Sequence, residues 1–275
     1  MIIVIQCRDQ VGLVASISSI LARAGLNIVS MREHVEKEDN RFFSRIEAEG
    51  LALHEGWQQE LRAALPPEAS LQINPLPEKR LAVLVTREYH CLGDILLRHQ
   101  FGTLGARLAC VLGNHPDLGD LCRRFEVPFL HVPHEGRPRE AFESALLDGL
   151  APYQPDFLVL AKFMRILSPA FVAQYRHRII NIHHSFLPAF AGAQPYRQAF
   201  ARGVKLIGAT SHFVTDDLDE GPIIAQQIIP VTHRHRVEDM VRAGKEVETA
   251  VLARAMQLVF EDRVLVHRNK TIVFE

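Results

Sequence analysis

Arg80-Leu81-Ala82-Val83-Leu84-Val85 is the stretch that decides how this chain folds. Five consecutive apolar side chains leave no polar face, so a strand built from them must be covered on both sides, as in the middle of a parallel α/β sheet. Beyond it, short apolar runs alternate with segments of helical periodicity. Residues 108–112, 129–132 and 157–160 read as strands, and residues 93–99, 115–125 and 139–150 as helices. That alternation predicts an α/β fold with a doubly wound, mostly parallel sheet. In such sheets ligands bind outside the carboxyl ends of the strands. Residues 237–260 read as a long amphipathic helix, and residues 264–274 as a terminal hairpin centred near Asn269.

Residues 1–74 follow a different pattern. Met1 to Cys7 is a strand, Arg8-Asp9-Gln10-Val11-Gly12 a turn, and Leu13, Ile17, Ile20 and Leu21 mark one face of a helix. Residues 27–32 and 42–48 are strands around a charged turn at 36–41. Residues 54–65 form a second helix ended by Pro66-Pro67, and 71–73 a last strand. The order βαββαβ predicts a ferredoxin-like open antiparallel sheet with helices on one face. Asn74-Pro75-Leu76-Pro77-Glu78-Lys79 breaks both periodicities and is the expected linker. A chain of 275 residues exceeds what one core spans, so two domains are expected, 1–76 and 80–275.

Composition excludes several function classes. The net charge is −1 and no long Lys/Arg run occurs, which argues against a nucleic-acid partner. The apolar start, Met1-Ile2-Ile3-Val4-Ile5, is far too short to span a bilayer, so no membrane association and a cytoplasmic location are expected. Cys7, Cys91, Cys110 and Cys122 form no CxxC pair and read as reduced, partly buried thiols. His233-Arg234-His235-Arg236 has no carboxylate or thiol at ligand spacing beside it and reads as a solvated basic face. No metal and no resident cofactor are expected.

The candidate chemistry lies between residues 181 and 222. Asn181-Ile182-His183 follows the apolar approach Arg178-Ile179-Ile180, and residues 207–215 read as a second strand before Asp219-Glu220-Gly221-Pro222. Alternation places Asn181 and His183 on one face. An isolated histidine in such a place is more often a satisfied core group than a proton carrier. Three features weigh toward catalysis: the polar residues His184-Ser185 where the chain leaves the sheet, the small-residue loop 189–194, and four acids within residues 216–220. Mutual repulsion among those acids calls for a cationic partner, which an imidazolium supplies. An amide, an imidazole and a carboxylate suffice for attack on an acyl carbon without Ser, Cys or metal.

Two resemblances sharpen this reading. Asp9-x-x-Gly12-Leu13-Val14 and Gly25-Leu26-Asn27-Ile28 resemble the ACT family. That resemblance implies an amino-acid effector, such as methionine or glycine, at Asp9, Gly12 and Asn27, or else a plain dimerisation module; either way it implies a homo-oligomer. Residues 80–275 resemble the folate-dependent formyltransferases through Phe163-Met164-Arg165-Ile166-Leu167-Ser168-Pro169, Asn181-Ile182-His183, Gly208-Ala209-Thr210-Ser211-His212-Phe213-Val214 and Leu218-Asp219-Glu220-Gly221-Pro222. With the ACT-like segment, the whole chain is similar to the 10-formyltetrahydrofolate deformylase family.

The resemblance implies that Asn181, His183 and Asp219 are catalytic. It implies that Met164, Arg165, Ile166, Leu167, Thr215, Asp216 and Leu218 hold the folate substrate. The activity it implies is hydrolysis of 10-formyltetrahydrofolate to formate and tetrahydrofolate, which supplies formate for purine synthesis and balances the one-carbon folate pool. Two alternatives remain at this point: formyl transfer to an amine such as glycinamide ribonucleotide, and a folate-binding amino-acid sensor without turnover. Against transfer, the turn Thr86-Arg87-Glu88-Tyr89-His90-Cys91-Leu92-Gly93 has one late glycine and no evident phosphate nest, and His184 stands where the transformylases usually carry proline.

Overall fold

The computed structural model describes residues 1–74, 78–189 and 195–275. Most of the expected linker (75–77) and of the small-residue loop (190–194) lies outside the described residues. Packing divides the chain into two compact units. Asp262–His267 and Ile272–Glu275 group with the first unit, although they follow the second in sequence.

In the first unit the elements are β1 (Ile2–Arg8), α1 (Leu13–Arg23), β2 (Asn27–Glu36), β3 (Arg41–Glu49), α2 (Trp57–Ala64) and β4 (Ser70–Ile73). The sheet is antiparallel, in the order β2-β3-β1-β4, as βαββαβ chain order predicts. Helix α1 buries Leu13, Ile17, Ile20 and Leu21, the four positions its periodicity marks. They join Ile3, Ile5, Trp57 and Leu61 in one apolar core. Strand β2 runs past its expected end at residue 32 to Glu36, where the charged turn begins, because it pairs with β3 down to Glu36 opposite Arg41. Phe43 packs with Leu265 and Phe274 of the tail.

The second unit comprises β5 (Lys79–Val85), α3 (His90–Gln100), β6 (Ala106–Gly113), α4 (Gly119–Arg124), β7 (Phe129–His131), α5 (Arg139–Leu150), β8 (Phe157–Ala161), α6 (Pro169–Gln174), β9 (Ile179–His183), α7 (Pro195–Arg202), β10 (Leu206–Phe213), β11 (Ile223–Pro230) and α8 (Val237–Phe260). The tail forms β12 (Val264–His267) and β13 (Lys270–Val273). Among the described residues, seven strands lie in the order β11-β10-β9-β8-β5-β6-β7. The pairs from β9 to β7 are parallel, and β10 alone runs against the rest. Residues 81–85 of β5 are all fully buried, as a central strand with no polar face requires.

The chain steps from β5 outward through β6 and β7, then returns to the other side of β5 as β8. The loops after β5 and β8 therefore diverge, and a crevice opens at the carboxyl ends of the strands. All four cysteines are free and buried; burial pushes the Cys91 and Cys110 thiols up to about 12. Among the described residues, no helix is long and apolar enough to cross a membrane.

Candidate active site

Strands β9 and β10 lie side by side, with Asn181 opposite His212 and His183 opposite Thr210. The two motifs, about thirty positions apart in sequence, thus become neighbours by strand pairing alone. Residues 214–222 connect β10 to β11, and Asp219 on this connection adopts a left-handed φ of 59°. Asp tolerates that conformation better than most side chains because its short polar group bonds locally. Two residues later, a Cβ on Gly221 would stand 1.7 Å from the Phe213 carbonyl oxygen, so only glycine lets the chain close there.

Asp219 Oδ1 lies 3.3 Å from His183 Nδ1, and both side chains are largely buried. The hydrogen bond from His183 holds the Asp219 carboxyl below its usual range, outweighing the opposing effect of burial. Asp219 is therefore anionic at neutral pH. His183 Nε2 is buried and has no hydrogen-bond partner among the described residues. With Nδ1 turned to the carboxylate, Nε2 is the nitrogen left for chemistry.

His212 fixes Asn181. Its Nδ1 is 2.9 Å from the Phe213 carbonyl oxygen, which can only accept, so Nδ1 carries the proton. Nε2 then accepts from Asn181 Nδ2 at 3.2 Å. Burial lowers the His212 pKa and keeps the ring neutral in this role. One amide proton of Asn181 is thus engaged and the other remains to donate.

These groups line a pocket of about 260 Å³ with Met164, Arg165, Ile166, Leu167, Thr215, Asp216 and Leu218. Met164, Ile166 and Leu218 are each about 60% exposed, which is unusual for three large apolar side chains around one opening. The backbone beneath them is held firmly. Thr86 Oγ1 accepts from Met164 N at 2.9 Å, Arg139 donates to the Ile166 carbonyl at 3.0 Å, and Glu143 accepts from Ser168 N at 2.6 Å. Ser168 in turn caps α6, with Pro169 at its first position. The result is an apolar bed fixed in place before any ligand arrives.

The structure brings together Asn181, His183 and Asp219 and the seven expected wall residues. It separates the acids: Asp216, Asp217 and Glu220 are exposed, and Asp219 is the acid of the four that faces imidazoles. It also separates the effector residues within one chain. Asp9, bonded to Asn40, and Gly12 lie beyond the end of β1, whereas Asn27 begins β2 opposite Glu49 at the other end of the sheet. In the basic run 233–236, His235 accepts from Thr232 N at 3.0 Å, and Arg236 N donates to Asp239 Oδ2 at 3.0 Å as α8 begins, so these residues build a turn and a cap.

Three participants escape sequence reasoning. His212 lies inside a quoted motif, but its role depends on strand pairing. Lys162 and Glu248 are buried and paired, 3.1 Å apart, with Lys162 lining the pocket. A charged residue directly after the apolar run of β8, and an acid on the buried face of α8, were the available signals.

Residues 79–256 match the formyl transferase family and residues 1–53 the ACT domain. A formyl transferase domain preceded by an ACT domain is the class that this fold and site define. Formyltetrahydrofolate deformylase from Escherichia coli (strain K12) is 49% identical over 267 residues, covering 97% of this chain and 95% of that protein. The crystal structure of a formyltetrahydrofolate deformylase from Pseudomonas syringae pv. tomato str. DC3000 superposes with a TM-score of 0.94 at 40% identity, covering 100% of this chain and 94% of that one. Glycinamide ribonucleotide transformylase 1 from Symbiobacterium toebii matches with a TM-score of 0.70 at 34% identity, over 73% of this chain and 96% of its own. The chain belongs to the formyltetrahydrofolate deformylase family.

Proposed function

We propose that this protein hydrolyses 10-formyltetrahydrofolate to formate and tetrahydrofolate. The observation that carries the reading is the convergence of Asn181, His183 and Asp219 in one pocket walled by exposed apolar side chains. The flat pterin ring lies on Met164, Ile166 and Leu167, with Arg165, Thr215, Asp216 and Leu218 completing the wall. Water adds to the formyl carbon. The oxygen that becomes an anion takes the free amide proton of Asn181 as a hydrogen bond. His183, oriented and charge-balanced by Asp219, carries the water proton to N10 as the C–N bond breaks. Atoms balance: one water is consumed, one of its protons ends on N10, the other leaves to solvent, and one formate and one free amine are produced.

Water rather than an amine is the acceptor. The β5–α3 connection, residues 86–89, contains no glycine, and Gly93 lies inside α3, so its backbone offers no glycine-rich cradle for an acceptor phosphate. Residues 1–76 serve as a regulatory or dimerisation domain and 80–275 as the catalytic domain, in a cytoplasmic homo-oligomer; the ACT domain takes an amino acid such as methionine or glycine. Because Asp9 and Asn27 stand at opposite ends of one sheet, an effector touching both requires two chains. The formate released feeds purine synthesis. Formate release measured with and without glycinamide ribonucleotide tests the reading: turnover without the nucleotide is expected, and an absolute requirement for it would establish the transformylase reaction instead.

A further inference from the structure

Lys162 directly follows β8 with a backbone φ of 60°, a left-handed conformation that is strained for a non-glycine residue. Its side chain is buried, and Nζ lies 3.1 Å from Glu248 Oε2. Glu248 is 1% exposed and fully occupied: His90 Nε2 lies 2.9 Å from Oε2, and Tyr196 donates to Oε1 at 2.7 Å. Burial alone would raise the Glu248 carboxyl, yet His90, Lys162 and Tyr196 hold it at about 2. Removing two charges from water carries a desolvation cost that pairing only partly repays. Strain and buried charge at one residue therefore need a purpose that apolar packing would not serve.

The position of Lys162 supplies it. Lys162 lines the same pocket as Asn181, His183 and Asp219, and His184 lines it too. The His184 ring centroid is 5.1 Å from that of His183 and 6.3 Å from that of Tyr196. Burial, then the charge of Lys162, lowers the His184 pKa to about 4, so this imidazole is neutral and can accept a hydrogen bond. A donor held by Glu248 and a neutral imidazole acceptor thus line the pocket that holds the groups acting on the formyl carbon. His90 and Cys91 also lie near Glu248, but Cys91 is held as a thiol at about 12 and Glu248 is already paired with the Lys162 ammonium.

We infer that Lys162 and His184 form the acceptor subsite of the hydrolysis, Lys162 donating to the oxygen of the attacking water and then to the departing formate, and His184 accepting from the water. The inference rests on the hydrolytic reading above. Lys162 neither gains nor loses a proton; the water proton still travels through His183 to N10. The same ammonium makes the subsite hostile to a protonated amine, which gives the chain a positive means of excluding the transfer reaction.

The test uses the full-length protein. Wild-type formate release without an amine acceptor comes first; its absence would sink the hydrolytic reading rather than this one. Next come Lys162→Arg, which keeps the cation, and the double variant Lys162→Met/Glu248→Gln, which removes both buried charges together. Tetrahydrofolate affinity, kcat and inhibition by formate are measured in each. The double variant is expected to bind tetrahydrofolate as wild type does, to lose about 10²-fold in kcat, and to lose about ten- to a hundredfold in formate inhibition. Lys162→Arg is expected to recover most of the formate inhibition. A double variant with wild-type kcat and wild-type formate inhibition overturns the inference. Should that variant not fold, the ¹⁵Nζ resonance of Lys162 in the wild-type protein decides: formate at inhibitory concentrations must shift it, and an unmoved resonance overturns the inference.

Discussion

The hydroxyl of Tyr196 occupies the space that a side chain on Gly244 would need: a Cβ there would stand 2.1 Å from it. Glycine in the middle of the 24-residue helix α8 is thus the residue that lets Tyr196 reach Glu248, one turn further along. Ordinarily Gly→Ala inside a helix gains about 1 kcal/mol. Here Gly244→Ala is expected to destabilise by about 1–3 kcal/mol, because it displaces Tyr196 and leaves a buried carboxylate oxygen without its donor. Denaturant unfolding of Gly244→Ala, Tyr196→Ala and the double variant checks this. The Gly244→Ala cost should vanish in the Tyr196→Ala background, whereas additive costs would contradict the account.

Asn181 and Asp219 are assigned different tasks, and kinetics can separate them from folding. Asn181→Ala removes the oxyanion donor and should lower kcat by about 10²–10³-fold with KM little changed. Asp219→Asn keeps the shape but loses the charge that orients His183, and should lower kcat by about 10²–10⁴-fold. Retained tetrahydrofolate binding in both would show that the losses are chemical. Either variant turning over at the wild-type rate would remove that residue from the mechanism.

His184 makes stability depend on pH on the acid side. Its folded pKa is depressed from 6.5 to about 4, so between those values the unfolded chain binds a proton that the folded one refuses. The stabilisation is fully present above pH 6.5 and drains away as pH falls toward 4. A single such proton changes stability by about 1.4 kcal/mol per pH unit. His212 and His177, also lowered by burial, act in the same direction. His184→Gln should therefore flatten the acid-side slope without abolishing it. Urea titrations at several values between pH 7.5 and 4.5 measure the difference; an unchanged slope would place His184 in a more solvated setting than described.

What the sequence made legible follows from how local each signal is. Strand β5 announces itself because five apolar residues in a row admit one burial state, and α1 because Leu13, Ile17, Ile20 and Leu21 share one face. Strand β11 was not legible. It is an edge strand bounded by Pro222 and Pro230, with Gln226 and Gln227 at its centre, and edge strands tolerate both features. Helices α6 and α7 carry equally weak signals: each opens on a proline, and neither exceeds eight residues. Asn181, His183 and Asp219 were readable from motif and chemistry. Lys162 and Glu248 were not, because they lie 86 positions apart and tertiary packing alone brings them together.

The central claim is that water is the acceptor at Asn181, His183 and Asp219. Single-turnover reaction of 10-formyltetrahydrofolate in H₂¹⁸O, with mass analysis of the formate, tests it most directly. The account predicts one ¹⁸O atom in each formate released, at full rate and with no amine present. Formate that appears only when glycinamide ribonucleotide is added, or a formyl group recovered on that amine, would contradict it.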